Sequence, residues 1–255
     1  MAKPGEVLRA ARILDALEKA YPDAACALGY ASAFELVAAT ILSAQCTDER
    51  VNKVTPALFR RYPTPAAMAA ADPDELQAII RSTGFFRSKA RSLMGCAAAL
   101  VRDHGGEVPR SLDLLVKLPG IGRKTANVVL GHAFGIAEGI AVDTHVLRLS
   151  NRLGLAKGDD PVGVERQLMA LVPRERWTLT TDLIIFHGRQ VCDARRPNCG
   201  SCPVFGLCRW EDRQAWATVS PGQRPKTATP RKKASPARKQ PGARAKKRAP
   251  SRGRR

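Results

Sequence analysis

Four cysteines confined to one short segment set the strongest limit on what this chain can fold into. Cys192, Cys199, Cys202 and Cys208 lie in VCDARRPNCGSCPVFGLC with the spacing C-x6-C-x2-C-x5-C. Four thiolates this close in sequence hold either a zinc ion or an iron–sulfur cube. Structural zinc takes two tight C-x(2–4)-C knuckles around one tetrahedral centre, and only Cys199 and Cys202 form such a pair. A cubane presents four iron corners set further apart, so the wider gaps suit it better and favour a [4Fe-4S] cluster over zinc. The segment is too small to have its own core, so the metal would fasten it to the rest of the fold. Its loop between Cys192 and Cys199 is fixed at both ends and carries Arg195 and Arg196. Such a loop can press two guanidinium groups against phosphates, the plainer alternative being an ordinary solvated loop.

The other three cysteines, Cys26, Cys46 and Cys96, are scattered through helical patterns and read as small buried hydrophobes. The amino terminus has no apolar run of signal-peptide length, and no stretch reaches the roughly 20 apolar residues that span a bilayer. An intracellular protein follows as the expectation, cytoplasmic and associated with the nucleoid, with no membrane contact.

Charge points to a polyanionic partner but says less than it first suggests. The 255 residues hold 42 Lys and Arg against 23 Asp and Glu, a net +19. Fourteen of those cations lie beyond residue 220 with no acid among them, so the first 220 residues set 28 cations against all 23 acids. A claim of DNA binding must therefore rest on a site. From Pro221 onward the chain has no large apolar residue and cannot offset the entropy of folding, and residues 214–255 are expected to be a disordered basic tail that adds nonspecific affinity.

Helical periodicity dominates the rest. Val7, Ala10, Ala11, Leu14 and Leu17 fall on one face before Tyr21-Pro22 ends the run. Helix starts are announced by Ser32 with Glu35, by Thr64-Pro65, by Asp72-Pro73 with Glu75, and by Asp160-Pro161. Hairpin-forming alternating strands are scarce, and the expected fold class is all-α.

The most informative stretch is SLDLLVKLPGIGRKTANVVLGHAFG. Leu112, Leu115, Val116 and Leu118 make one helical face, Pro119 stops that helix, and Gly120 and Gly122 allow tight backbone close to a ligand. Free amides at the start of the next helix then form a phosphate cradle with no sequence preference. Arg123, Lys124 and Thr125 follow directly, and Arg123 and Thr125 are expected to contact DNA beside this cradle.

LPGIGRKTANVVL followed by AVDTHVLRLSNRLG resembles the endonuclease III family of helix-hairpin-helix DNA glycosylases. The four-cysteine spacing is similar to that family's cluster motif, and LSAQCTD extends the likeness, which covers most of the chain outside the tail. The resemblance implies two helical lobes with a DNA-binding groove between them. One is an iron–sulfur cluster lobe of residues 1–21 and 136–213; the other is a central helical barrel of residues 22–135 containing the helix-hairpin-helix. It implies a monomer that binds double-stranded DNA containing damaged bases or abasic sites, and a bifunctional DNA N-glycosylase and abasic-site lyase.

Lys124 is the implied nucleophile. A lysine amine attacks only when neutral, and the helix amino terminus with neighbouring Arg123 disfavours its ammonium form. Attack at C1′ expels the base, and the Schiff base permits β-elimination of the 3′ phosphate. By resemblance Asp143, in VDTHV, stabilises positive charge on the sugar and shuttles protons, and it is equally a helix N-cap. His145 is a phosphate contact or a satisfied buried histidine. The family fills the gap left by a flipped base with a glutamine and an apolar wedge, here Gln45 and Phe85, with Phe86 as the alternative wedge. Oxidised pyrimidines are the implied substrates. The rival readings are an adenine-mismatch-type monofunctional glycosylase, which lacks the lysine and adds an acid where this chain has Val37-Ala38-Ala39, and a non-catalytic DNA-binding scaffold.

Overall fold

Helix after helix begins where the sequence supplies a side-chain cap. In the computed structural model, which describes residues 2–219 and residue 225, α1 (Pro4–Ala20), α2 (Ala33–Ser43), α3 (Asp48–Arg61), α4 (Pro65–Ala69), α5 (Pro73–Ile80), α6 (Phe86–His104) and α7 (Leu112–Leu115) lead to α8 (Arg123–Phe134). Then come α9 (Thr144–Leu153), α10 (Pro161–Met169), α11 (Trp177–Gln190) and α12 (Arg213–Ala217). Among the described residues there is no β-strand, and the fold is all-α. Ser32 Oγ accepts from the Glu35 amide at 3.2 Å while Glu35 Oε2 accepts from the Ala31 amide at 2.7 Å. Thr64, Asp72 and Asp160 cap α4, α5 and α10, each followed by a proline whose missing N–H costs nothing in the first turn.

These helices bury two apolar clusters. The first surrounds α2, whose residues from Leu36 to Leu42 are all buried and which packs on α3, α6 and α8. An α-helix apolar on every side has to be a central one. Leu58, Met68, Leu76, Leu93, Leu100 and Leu130 complete this core. The second cluster joins Ile13, Leu14 and Leu17 of α1 to Val146 and Leu149 of α9, Leu168 of α10 and Leu183 of α11. The α1 stripe is Ala10, Ile13, Leu14 and Leu17, not the face that begins at Val7; the first turn carries Val7 and Leu8 out to solvent.

The boundary expected at residue 214 falls inside α12. Trp216 is buried and stacks on Trp210, ring centroids 6.4 Å apart, so the chain keeps an apolar anchor up to that point. The rest of the basic tail lies outside the described residues.

α8 joins the two clusters. Ala126, Val129 and Leu130 sit in the first core, while a Cβ on Gly131 would lie 2.4 Å from Thr178 Oγ1 of α11, so the two helices touch there. Glu165 of α10, buried, accepts two hydrogen bonds from Arg123, at 2.7 and 3.1 Å, and one from Asn127 Nδ2 at 2.9 Å. Glu165→Ala strands the buried Asn127 amide and is expected to lower stability by about 1–3 kcal/mol, read as a fall in the thermal midpoint.

Candidate functional site

The loop before α8 is shaped by its glycines. Gly120 has φ +81°, and a Cβ there would stand 2.8 Å from Ser92 Cβ, so only glycine fits. Gly122 is the N-cap of α8 and has no side chain to offer, which leaves the first-turn amides of α8 without a side-chain partner and open to an anion. α7 ends at Leu115, earlier than the expected face requires, so Leu115 and Leu118 are buried while Val116 is 41% exposed.

Behind this loop opens a cleft of about 610 Å³ between the two apolar clusters. Lys124, Thr125, Gln45, Asp143 and His145 all line it. Lys124, on the second residue of α8, is exposed to it. Asp143 is the N-cap of α9, its Oδ1 accepting from the amides of His145 and Val146, both at 2.8 Å. The cap and the cleft position coexist in one side chain. His145 is half-buried, with Arg148 Nη2 3.4 Å from its Nδ1, and burial holds its imidazole below the usual range, in the neutral form.

Arg123 is held elsewhere. Its bidentate pair with Glu165 turns the guanidinium away from the cleft lining and neutralises the like charge that was expected to act on Lys124. Two of the three scattered cysteines also depart from expectation, since Cys26 and Cys46 line the cleft and only Cys96 is buried. One cleft feature missed in the sequence is the contact of His132 Nε2 with Asp182 Oδ1 at 3.3 Å. An acid inside the apolar run LTTDLIIF was the available signal, because a buried carboxylate needs a partner.

Gln45 and Phe85 share an unusual backbone. They are the described non-glycine residues with positive φ, at +52° and +48°. The left-handed region costs an L-residue about 1–2 kcal/mol, and such strain gathers at functional sites. Phe85 is 66% exposed, whereas Phe86 packs against the first core.

The cysteine segment wraps a second, small cavity that all four thiols line together with Arg152, His187 and Trp210. The spacing C-x6-C-x2-C-x5-C around this space suits a cube better than a zinc knuckle. Donors already face the sulfurs: Arg152 Nη1 lies 3.3 Å from Cys192 Sγ, and the Trp210 amide 3.5 Å from Cys208 Sγ. Arg152 also sits 4.2 Å over the Trp210 ring. Burial and the neighbouring sulfurs push Cys199 up to about 12 and Cys202 to about 11, so these thiols ionise only with a strong cation among them. The residues fit a [4Fe-4S] cluster. Cys199→Ser is expected to give a colourless protein depleted of iron and sulfide by assay, with protease cleavage appearing between residues 192 and 217. In the loop at the edge of this cavity Arg195 and Arg196 are exposed, and Asp193 Oδ1 accepts from both their amides at 2.7 and 2.8 Å.

Residues 38–174 match the HhH-GPD superfamily of base excision DNA repair proteins, and residues 192–208 match the iron–sulfur binding domain of endonuclease III. Endonuclease III of Synechocystis sp. is 56% identical over 200 residues, covering 78% of this chain and 91% of the relative. Endonuclease III of Bacillus subtilis is 49% identical over 197 residues, covering 77% and 90%. A solved non-covalent endonuclease III–DNA complex superposes with a TM-score of 0.77 at 48% identity, covering 82% of this chain and 96% of that one. A trapped endonuclease III–DNA covalent intermediate gives the same TM-score and identity, covering 82% and 97%. On these family matches and on identities of 56% and 49% over most of both chains, this chain belongs to the endonuclease III family of HhH-GPD base excision DNA repair proteins.

Proposed function

We propose that Lys124 and Asp143 carry out base removal and strand cleavage in the cleft between two lobes, residues 1–21 with 136–213 and residues 22–135. The observation that carries this reading is their presence, on different helices, in the lining of one cleft that also takes in Gln45. The chain is a DNA-binding glycosylase and abasic-site lyase, and its relatives include an endonuclease III trapped covalently on DNA. Acting as a monomer, it takes duplex DNA carrying oxidised pyrimidines or abasic sites.

The chemistry follows from the groups present. The Lys124 Nζ lone pair attacks C1′ of the damaged nucleotide, the N-glycosidic bond breaks, and its electron pair leaves with the base, which takes up a proton. Opening of the sugar ring leaves a Schiff base between Lys124 and C1′. Loss of a C2′ proton then expels the 3′ phosphate by β-elimination. Asp143, a carboxylate in the lining of the same cleft, stabilises the cationic sugar and shuttles these protons. Gly120, Gly122 and Thr125 hold the backbone phosphates on the amides of α8, with His145, Arg195 and Arg196 on further phosphates. Gln45 and Phe85 fill the gap left by the flipped nucleotide, Phe85 being the exposed member of its pair. The [4Fe-4S] cluster, when bound, supplies four iron–thiolate bonds that fasten the 192–208 segment to the lobe.

The reading is tested with a duplex oligonucleotide containing one thymine glycol. Release of the base together with a nicked strand ending in an unsaturated aldehyde is the expected result. Activity on an adenine mismatch without strand cleavage would support the monofunctional alternative instead.

A further inference from the structure

Lys89 is a buried cation that the proposed chemistry does not use. It lies on α6 at 4% exposure, on the same stripe as Leu93, Cys96, Ala97 and Leu100, all of them core residues. A lysine at such a position loses its hydration and is lowered below its ordinary range by burial. A cost of that kind persists where the ammonium group satisfies something that no apolar side chain could.

What it satisfies is specific. Nζ donates to the Leu42 carbonyl at 2.7 Å and to the Thr83 carbonyl at 2.8 Å. Leu42 belongs to the last turn of α2, whose carbonyls lack helical partners, and Thr83 ends the 3-10 turn Arg81–Thr83. Gln45 follows the first of these ends and Phe85 the second. The main chain of Lys89 adds a third tie, since its amide donates to the Phe85 carbonyl at 3.0 Å. One residue therefore grips the roots of both loops that bear the positive-φ residues. A cation is also the group that the negative end of a helix dipole favours, and α2 ends here.

We infer that Lys89 is a positioning residue that clamps the Gln45 and Phe85 loops to each other, so that both side chains reach the gap of a flipped nucleotide together. The two loops come from separate parts of the chain and have no reason of their own to share a register. Lys89 gives them one through two charge-assisted hydrogen bonds. The inference rests on the gap-filling reading of Gln45 and Phe85. It assigns Lys89 no contact with substrate.

The experiment compares Lys89→Met and Lys89→Arg with the parent holoenzyme. The readout is borohydride trapping on an abasic site in duplex DNA, relative to the same abasic strand presented single-stranded. A single strand has no opposite base to estrange and no gap to fill, while the Schiff base through Lys124 is still needed. Both rates come from one preparation, so any unfolded fraction cancels in the ratio. Lys89→Met is expected to lower the duplex-to-single-strand ratio by about tenfold to a hundredfold, the usual effect of a small misplacement away from the reacting atoms. Lys89→Arg keeps charge and donors on a longer, forked head and is expected to lower the ratio about threefold. If Lys89→Met yields no folded protein, the Lys89→Arg ratio decides alone. In a background of Gln45→Ala with Phe85→Ala, Lys89→Met is expected to leave the ratio where that background sets it. An unchanged ratio in the parent background, or a full further loss in the double-alanine background, overturns the inference. Absence of trapping by the parent enzyme on both substrates would instead refute the Schiff-base reading.

Discussion

Lys124→Arg is expected to bind abasic duplex DNA within a few-fold of the parent and to cleave it on the order of 10⁴-fold more slowly or not at all. Arginine keeps the positive charge at the start of α8, so any phosphate attraction from that position survives. Its guanidinium remains protonated at all working pH values and has no lone pair for C1′. A surface lysine that merely touched phosphate would show the opposite pattern, with weakened binding and intact chemistry. Lys124→Ala would confound the two. Gel-shift affinity and single-turnover cleavage on one abasic duplex separate them, and retained cleavage by the arginine variant would remove Lys124 from the mechanism.

Asp143→Asn isolates the second group. Asp143 is the N-cap of α9 through Oδ1, and asparagine caps nearly as well as aspartate, so stability should move by less than about 0.5 kcal/mol. Asparagine carries no negative charge and accepts no proton at neutral pH. Base removal is expected to slow by about 10²- to 10⁴-fold while the thermal midpoint holds. Asp143→Ala should lose the cap as well, at about 1 kcal/mol, with a similar loss of rate. A rate near the parent value in Asp143→Asn would leave this residue with its cap alone.

What could be read from the sequence was largely what is local. Ser32, Thr64, Asp72 and Asp160 cap helices through atoms two or three residues away, so their roles are written in the adjacent residues. The Gly120–Gly122 turn and the spacing of the four cysteines are local in the same sense. What escaped depends on contacts between distant elements. Arg123 looked like a DNA-facing cation because its partner Glu165 lies 42 positions further on. The same pair removes one reason given for a neutral Lys124, and the cleft placement of that lysine now rests on the geometry of α8. Cys26 and Cys46 read as core residues because their patterns are apolar, and only the packing of distant helices opens a cleft beside them. Lys89 was hidden in a run of basic residues, although its register with Leu93, Ala97 and Leu100 set it on the buried face. A cation on an apolar stripe signals a carbonyl or carboxylate waiting for it.

The tail boundary shows the same limit from the other side. The composition beyond Trp216 marks where folding loses its apolar material, but Trp216 itself finds Trp210 and extends the helical chain past residue 214. One aromatic pair was enough to shift the boundary.

The most direct test of the account is to find where the covalent bond forms. The parent protein would be incubated with a thymine-glycol duplex under borohydride, digested with protease, and the peptides mapped by mass spectrometry. The account predicts a reduced sugar remnant on the Lys124 side chain. A remnant on the α-amino group or on another lysine, or no covalent adduct at all, would contradict it.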